Sequence, residues 1–208
     1  MNNTQHTFVS VDDRRLAEAI RSANKRLVFA APGLGMLTAR ALVEAINRLS
    51  GKLTIILDAD PDVCRIGYGD PEALRMLHES ASALQVPLRR QAGLRIGILI
   101  ADDEVLIWSP MARSVEAEHQ HTQPNGLVLS GPPTEVCAAA MGAEGTSTLP
   151  QDAEIGTEPL KVETLQETLD DLQRNPPVPF DLARRTRVFS SRFQFVEFEI
   201  RGDRKSVV

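Results

Sequence analysis

Aromatic residues, cysteines and long apolar runs are all scarce in this 208-residue sequence. Cys64 and Cys137 have no paired spacing, which indicates free thiols in a reducing compartment. No stretch approaches the roughly 18 apolar residues that a membrane span needs, and the first residues do not resemble a secretory signal. We therefore expect a cytoplasmic protein with no membrane partner.

Positive charge is also in short supply. The 23 lysines and arginines are outnumbered by 28 aspartates and glutamates, so the net charge is −5. Phosphate backbones repel an acidic chain, which excludes general coating of nucleic acid. A local basic patch that binds one anion remains compatible with this balance.

Apolar runs alternate with helical patterns over residues 10–142. The patterns predict strands at 26–31, 53–57, 86–90, 94–101, 105–108 and 126–129, and the polar turn at 102–104 predicts a tight hairpin. Strands that alternate with helices favour a mixed, mostly parallel sheet flanked by helices. The expected fold class is therefore α/β, preceded by a flexible tail at 1–9.

The composition changes after this domain. Residues 143–159 are rich in small and acidic residues without periodicity, which predicts a disordered linker. Residues 160–208 then predict an amphipathic helix at 162–172 and a long strand at 187–200 that begins a hairpin. Five of the seven phenylalanines fall in the last thirty residues, namely Phe180, Phe189, Phe193, Phe195 and Phe198. We expect this segment to be an appendage that contacts a protein partner or covers an open flank of the domain.

The order of elements over about residues 12–142 resembles one half of a phospholipase D-like fold. The residues that match are 53–58 for the second strand, 86–90 for the segment before the active-site hairpin, 94–109 for the hairpin and 125–128 for the next strand. That family's halves pair with each other. The resemblance therefore implies a homodimer.

The family's catalytic motif is His-x-Lys, four residues, then Asp, with Gly-Ser later. At the matching positions this sequence has Arg95 for the histidine, Gly97 for the lysine and Asp102 for the aspartate, and Ser109 lies one residue short of the serine's place. An arginine stays protonated and has no lone pair with which to attack phosphorus, although it binds phosphate well. The resemblance thus implies that phosphodiesterase chemistry is lost and that anion binding is retained.

A group of arginines is the candidate ligand site. If the fold is as expected, they converge on one mouth of the sheet, where α/β sheets bind ligands; they are Arg65, Arg89, Arg90, Arg95 and Arg113. The competing interpretation is scattered surface charge. A phosphate-bearing ligand, including nucleic acid, is the expected partner of this site.

Acidic residues suggest a second kind of site. Asp58 and Asp60 together with Asp102 and Asp103 have the composition of a magnesium-dependent phosphatase or nuclease, although solvated loop acids that cap helices explain them as well. Gly33 and Gly35 imitate a dinucleotide-binding turn, but Thr38 stands at the third glycine's place. We expect no cofactor. The function expected is a non-catalytic binding or regulatory module; an enzyme with a displaced acidic site and a structural subunit of an assembly are the alternatives.

Overall fold

A single eight-stranded sheet is the centre of the computed structural model, which describes residues 7–49, 51–116, 123–143 and 154–177. The strand order is β1-β7-β6-β5-β2-β3-β4-β8. In chain order the elements are β1 (Thr7–Val9), α1 (Asp13–Ser22), β2 (Leu27–Ala31), α2 (Met36–Arg48), β3 (Leu53–Leu57), α3 (Pro61–Arg65), α4 (Pro71–Ala83), β4 (Arg89–Arg90), β5 (Gly97–Ala101), β6 (Glu104–Trp108), β7 (Gly126–Ser130), α5 (Pro132–Ala140), β8 (Glu158–Pro159) and α6 (Val162–Arg174).

The sheet is mixed and flanked by helices, which confirms the predicted α/β class. Among the described strands only β2–β3 and β3–β4 are parallel pairs, so the parallel share is smaller than the sequence pattern suggested. The reason is the chain's path after β4: β5 pairs antiparallel with β2, β6 pairs antiparallel with β5, and β7 pairs antiparallel with β6. The predicted hairpin is the β5–β6 turn, where Asp102 adopts a positive φ of 55°.

The two faces of the sheet are covered unequally. Side chains of a strand alternate between faces, so β2 directs Leu27 and Phe29 into the larger core and Val28 into a smaller one. Residues of α1, α2, α4 and α6 fill the larger core. In the described chain the smaller core is closed by α5 and by the segments around Met141 and Ile155.

The predicted linker and appendage belong in part to the domain. Residues 158–159 form β8 beside β4, and the Gly156 N–H donates to the side chain of Gln91 at 3.0 Å. Helix α6 buries Leu165 and Leu169 in the larger core, because its apolar face packs against α3 and α4. The apolar face of this helix is therefore buried within the chain. The Phe-rich strand predicted at 187–200 lies outside the described residues.

The predicted tail also contributes to the sheet. Residues 7–9 form the edge strand β1, with Phe8 opposite Leu127 of β7. The Asn125 N–H and the Val9 carbonyl are joined at 3.1 Å, which extends this pairing beyond the strand. No helix in the described ranges is both long and apolar enough to cross a bilayer.

Candidate functional site: a groove beside Arg95

Asp58 and Arg95 meet at one edge of the sheet although 37 positions separate them. Asp58 directly follows β3, and Arg95 lies two residues before β5. Since β5 runs antiparallel to β2, the start of β5 lies at the same edge as the carboxyl ends of β2 and β3. This edge is where the described part of the chain forms its candidate ligand site.

The Arg95 guanidinium is held in place from two sides. Its Nη1 donates to the Asp58 carboxylate at 2.9 Å and to the Leu94 carbonyl at 2.7 Å. Its Cζ lies 5.5 Å from the centre of the Tyr68 ring, within cation–π range. The Asp58 side chain is 2% exposed, whereas that of Arg95 is 48% exposed. The arginine is thus anchored by a buried acid while its other nitrogens remain accessible.

The buried Asp58 carboxylate is also satisfied by the backbone. The Gly93 N–H donates to it at 2.9 Å and the Asp60 N–H at 3.3 Å. A buried charge needs such partners because it has left water. Asp58 therefore positions Arg95 and the loop before β5, and its carboxylate oxygens are occupied by these donors.

Gly97 lies under the indole ring of Trp108. The two residues are directly opposite each other on β5 and β6. A Cβ on Gly97 would come within 2.0 Å of Trp108 Cε2, which is far inside van der Waals contact. The Trp108 ring also packs against Phe29, with 6.1 Å between ring centres. The position matched to the family's lysine is therefore filled by a tryptophan ring.

A groove of about 490 Å³ runs beside Arg95. Its apolar wall comes from residues of β1, β6 and β7 and from Ile96 just before β5, and its polar groups include Arg95, Ser109 and Asn125. Asn125 is fixed because its side-chain oxygen accepts from the Val11 N–H at 2.6 Å. The Ser109 N–H donates to the Asn125 carbonyl at 2.9 Å. One cation on a largely apolar surface can hold one anionic group of a ligand that also has an apolar part.

A second cavity of about 290 Å³ shares Trp108 and Asn125 with the groove. It reaches the start of α2, where the Asp13 carboxylate accepts from the Leu37 and Thr38 N–H groups, both at 2.9 Å. A carboxylate of the protein itself thus occupies the helix end that a pyrophosphate would need. The dinucleotide interpretation of Gly33 and Gly35 is excluded by this contact.

The five candidate arginines do not converge. Arg89 and Arg90 are adjacent on β4, so their side chains point to opposite faces of the sheet. Arg89 donates to the carbonyls of residues 141 and 142, whereas Nε of Arg90 is buried without a partner among the described residues. Arg65 pairs with Asp62 and Asp171, and thereby fastens α6.

Arg113 is likewise used within the chain. It donates to the Gly67 carbonyl at 3.3 Å and to Asp70 at 2.6 Å, which holds the loop that presents Tyr68. It lines the second cavity, whereas Arg95 lines the groove. Of the five predicted arginines, Arg95 is the one that lines the groove.

The four candidate acids are divided between opposite edges of the sheet. Asp58 and Asp60 follow β3, whereas Asp102 and Asp103 form the β5–β6 turn, where the Asp102 N–H donates to the Arg26 carbonyl. A five-residue strand at about 3.3 Å per residue separates the two edges by about 16 Å. These acids cannot share a metal ion, and the described residues contain no group of three or more metal-ligating side chains.

Asp102 stabilises a loop instead. Its carboxylate accepts from the N–H groups of Asn24, Lys25 and Arg26 at 2.6 to 3.2 Å. Partial burial works to raise the pKa of Asp102, but these hydrogen bonds outweigh it, and the pKa lies below its ordinary value. The residue matched to the family's aspartate thus joins the α1–β2 loop to the hairpin.

The two thiols offer no activated nucleophile. Both are free, and Cys64 is buried. Burial, with the nearby Asp70 charge, raises the pKa of the Cys64 thiol to about 11, and burial also raises the pKa of Cys137. A thiol in this state stays protonated near neutral pH and is a poor nucleophile.

No sequence motif identifies Tyr68 or Trp108 as a site residue. Trp108 is the one tryptophan of the chain, and it faces the glycine at the degenerate lysine position. A tryptophan opposite a strand glycine in a predicted hairpin is a usable signal, because the ring covers the missing side chain. Tyr68 follows α3, a short helix that the sequence patterns did not predict, so no sequence signal placed it near Arg95.

Comparisons with known proteins give fold-level likenesses only. No family model and no curated protein matches this sequence. The phospholipase D family member Nuc from Salmonella typhimurium is 15% identical and has a TM-score of 0.42, over 83% of this chain and 94% of that chain. The archaeal chromatin protein TrmBL2, whose structure shows a mode of DNA binding, is 13% identical with a TM-score of 0.39, over 83% and 52%. Both TM-scores lie below 0.5, so the phospholipase D-like resemblance stays a prediction.

Proposed function

We propose that this protein is a non-catalytic binding module that holds a phosphate-bearing ligand at Arg95. The proposal is based on one observation: the Arg95 guanidinium is anchored on one side and exposed on the other. Asp58 and Tyr68 fix it, yet Nε and Nη2 make no hydrogen bond with other described residues, and half of the side chain is exposed in a groove. A guanidinium that is anchored on one side can bind phosphate through two parallel N–H donors on the other.

The contacts around Gly97 support the non-catalytic part of the proposal. The Trp108 ring leaves no room for a lysine at position 97 without repacking. Arg95 cannot serve as a nucleophile because it lacks a free lone pair. Asp102, matched to the motif's aspartate, is committed to three backbone N–H groups at the opposite edge of the sheet.

A short single-stranded nucleic acid is the ligand class we favour for the test. The groove combines Arg95 with apolar residues and an exposed phenylalanine, Phe8. Bases stack on aromatic rings while their phosphates pair with arginine. With one arginine at the site and a net charge of −5, we expect weak binding and a shallow salt dependence.

Arg95→Ala is expected to weaken binding of a short labelled oligonucleotide by roughly tenfold or more, because a charge-assisted hydrogen bond contributes about 1.5–3 kcal/mol. Fluorescence anisotropy at low salt measures this change. The matched control is Arg40→Ala on α2, which removes the same charge from an exposed arginine outside both cavities. We expect this control to bind like the unaltered protein.

Arg95→Lys separates binding from folding in the same assay. Lysine keeps a positive charge beside the buried Asp58 but loses the two-pronged donor geometry. We expect its melting temperature to stay close to that of the unaltered protein while its affinity falls. Equal affinities of the unaltered protein, Arg95→Ala and Arg95→Lys would contradict the proposal. So would hydrolysis of a model phosphodiester that Arg95→Ala or Asp102→Ala abolishes.

The homodimer implied by the resemblance also stays a prediction. Light scattering of the purified full chain is expected to give twice the chain mass of 22.8 kDa. A monomer mass across a hundredfold range of concentration would remove the dimer from the proposal and leave the ligand site unaffected.

A further inference from the structure

The face of the sheet that carries the smaller core also has an apolar surface that no described element covers. Helix α5 contacts β6 and β7, and the Thr134 hydroxyl at its start donates to the Asp103 carbonyl in the β5–β6 turn. At the other end of these strands Phe8 is 76% exposed and Ile96 is 43% exposed, and both line the groove beside Arg95. Exposed side chains of this size in one groove are typical of a docking surface.

The chain after α6 starts at this same edge of the sheet. Arg65 Nε, at the end of α3, donates to the Asn175 carbonyl at 3.2 Å. The two residues that follow α3 are Ile66 and Gly67. Their carbonyl groups accept hydrogen bonds from the N–H groups of residues 114 and 113, respectively. That segment continues from β6, whose end lines the groove. Asn175 therefore contacts the end of α3, which in turn contacts the segment that follows β6. Residues 178–208 begin three residues after Asn175.

The segment's composition suits the groove. Its 31 residues, at up to about 3.3 Å each, are long enough to cross the edge of the sheet. They contain five of the seven phenylalanines, and seven arginines or lysines against four acids in a chain that is acidic as a whole. Two of those acids, Glu197 and Glu199, flank Phe198 and can pair with Arg95.

We propose that the Phe-rich residues 187–200 of this chain dock in the groove lined by Phe8, Ile96 and Arg95. The apolar wall receives phenylalanine side chains, and Arg95 receives a glutamate. Because Arg95 belongs to both, the docked segment competes with a phosphate-bearing ligand. The docking itself does not depend on that ligand or on the proposed function.

Site-directed photo-cross-linking tests the docking in the full chain. A benzoylphenylalanine replaces Phe8, the protein is irradiated without any ligand, and tryptic peptides of the monomer band are identified by mass spectrometry. We expect cross-links to peptides within 187–200. The matched control places the same group at Val136, a residue of α5 that is 63% exposed and lies outside the groove, and it should give no such cross-link.

Phe195→Ser with Phe198→Ser is expected to reduce the cross-link yield from position 8 by at least about tenfold, because each buried phenylalanine contributes about tenfold to docking. These changes lie outside the described domain, so loss of the domain fold does not explain the reduction. A cross-linked species of dimer mass, or cross-links from position 8 only to other parts of the chain, would overturn the proposal. Failure of oligonucleotide binding would leave this result unchanged, so the two proposals fail separately.

Discussion

Gly97→Ala is expected to destabilise the protein by about 3 kcal/mol and to lower its melting temperature by roughly 6–12 °C. The added methyl group would overlap the Trp108 ring at 2.0 to 2.4 Å from three of its carbons. The ring cannot retreat easily because it is 5% exposed and packs against Phe29. Thermal and urea denaturation of the two proteins measure the difference.

Trp108→Ala supplies the control through a double-mutant cycle. Alone it should cost about 3–5 kcal/mol, since it leaves a cavity in the larger core. Combined with Gly97→Ala, it removes the ring that the new methyl group would strike. The loss of unfolding free energy in the double variant should therefore be about 1–2 kcal/mol smaller than the sum of the losses in the two single variants. Additive effects would show that the ring does not explain the glycine.

Asp102→Ala is expected to cost about 2–3 kcal/mol of stability. Three backbone N–H groups of the α1–β2 loop lose their charged acceptor, and an alanine takes over a residue with a positive φ of 55°. The matched control is Asp103→Ala, one position further along the same turn. Asp103 is exposed and pairs with an exposed Lys25, so its loss should leave the stability nearly unchanged.

The Asp102 effect should depend on pH in one direction. Because the folded protein holds the pKa of Asp102 below its ordinary value of 3.8, the charged carboxylate stabilises the fold above that pH. The contribution is lost as the pH falls through the lower, folded-state pKa. Urea denaturation should show a constant gap between the unaltered protein and Asp102→Ala from about pH 5 to 7, and a narrower gap below about pH 3.8. A gap that widens in acid would contradict this assignment.

The sequence was most informative where periodicity is strong. Buried runs placed β2 and β3, and the acids at 102–104 placed the β5–β6 turn. The mostly parallel arrangement was not deducible with the same ease, because an apolar run does not reveal the direction of its neighbour. The end of the predicted linker was placed too late for a related reason: residues 158–159 are held by main-chain bonds to β4, which composition does not encode.

The candidate site shows a sharper limit. Arginine, unlike an apolar side chain, gives no sequence sign of whether it binds a ligand or a neighbouring carbonyl. Arg65, Arg89 and Arg113 all serve internal contacts, and only their partners' positions in the fold reveal it. The motif position identifies Arg95, but the sequence offers Asp58 only as a solvated loop acid or as part of an alternative metal site, and not as the buried anchor of Arg95.

Helix α6 has a consequence for how the chain reaches its native state. The Thr168 hydroxyl donates to the Ala59 carbonyl at 2.6 Å, a contact between residues 109 positions apart. Contacts this distant in sequence slow folding, since a long loop must close before they form. During synthesis the residues of α3 and α4 emerge about a hundred residues before their cover, and their apolar surface stays open to aggregation for that interval. At roughly 5–20 residues per second, that interval lasts on the order of 5–20 s.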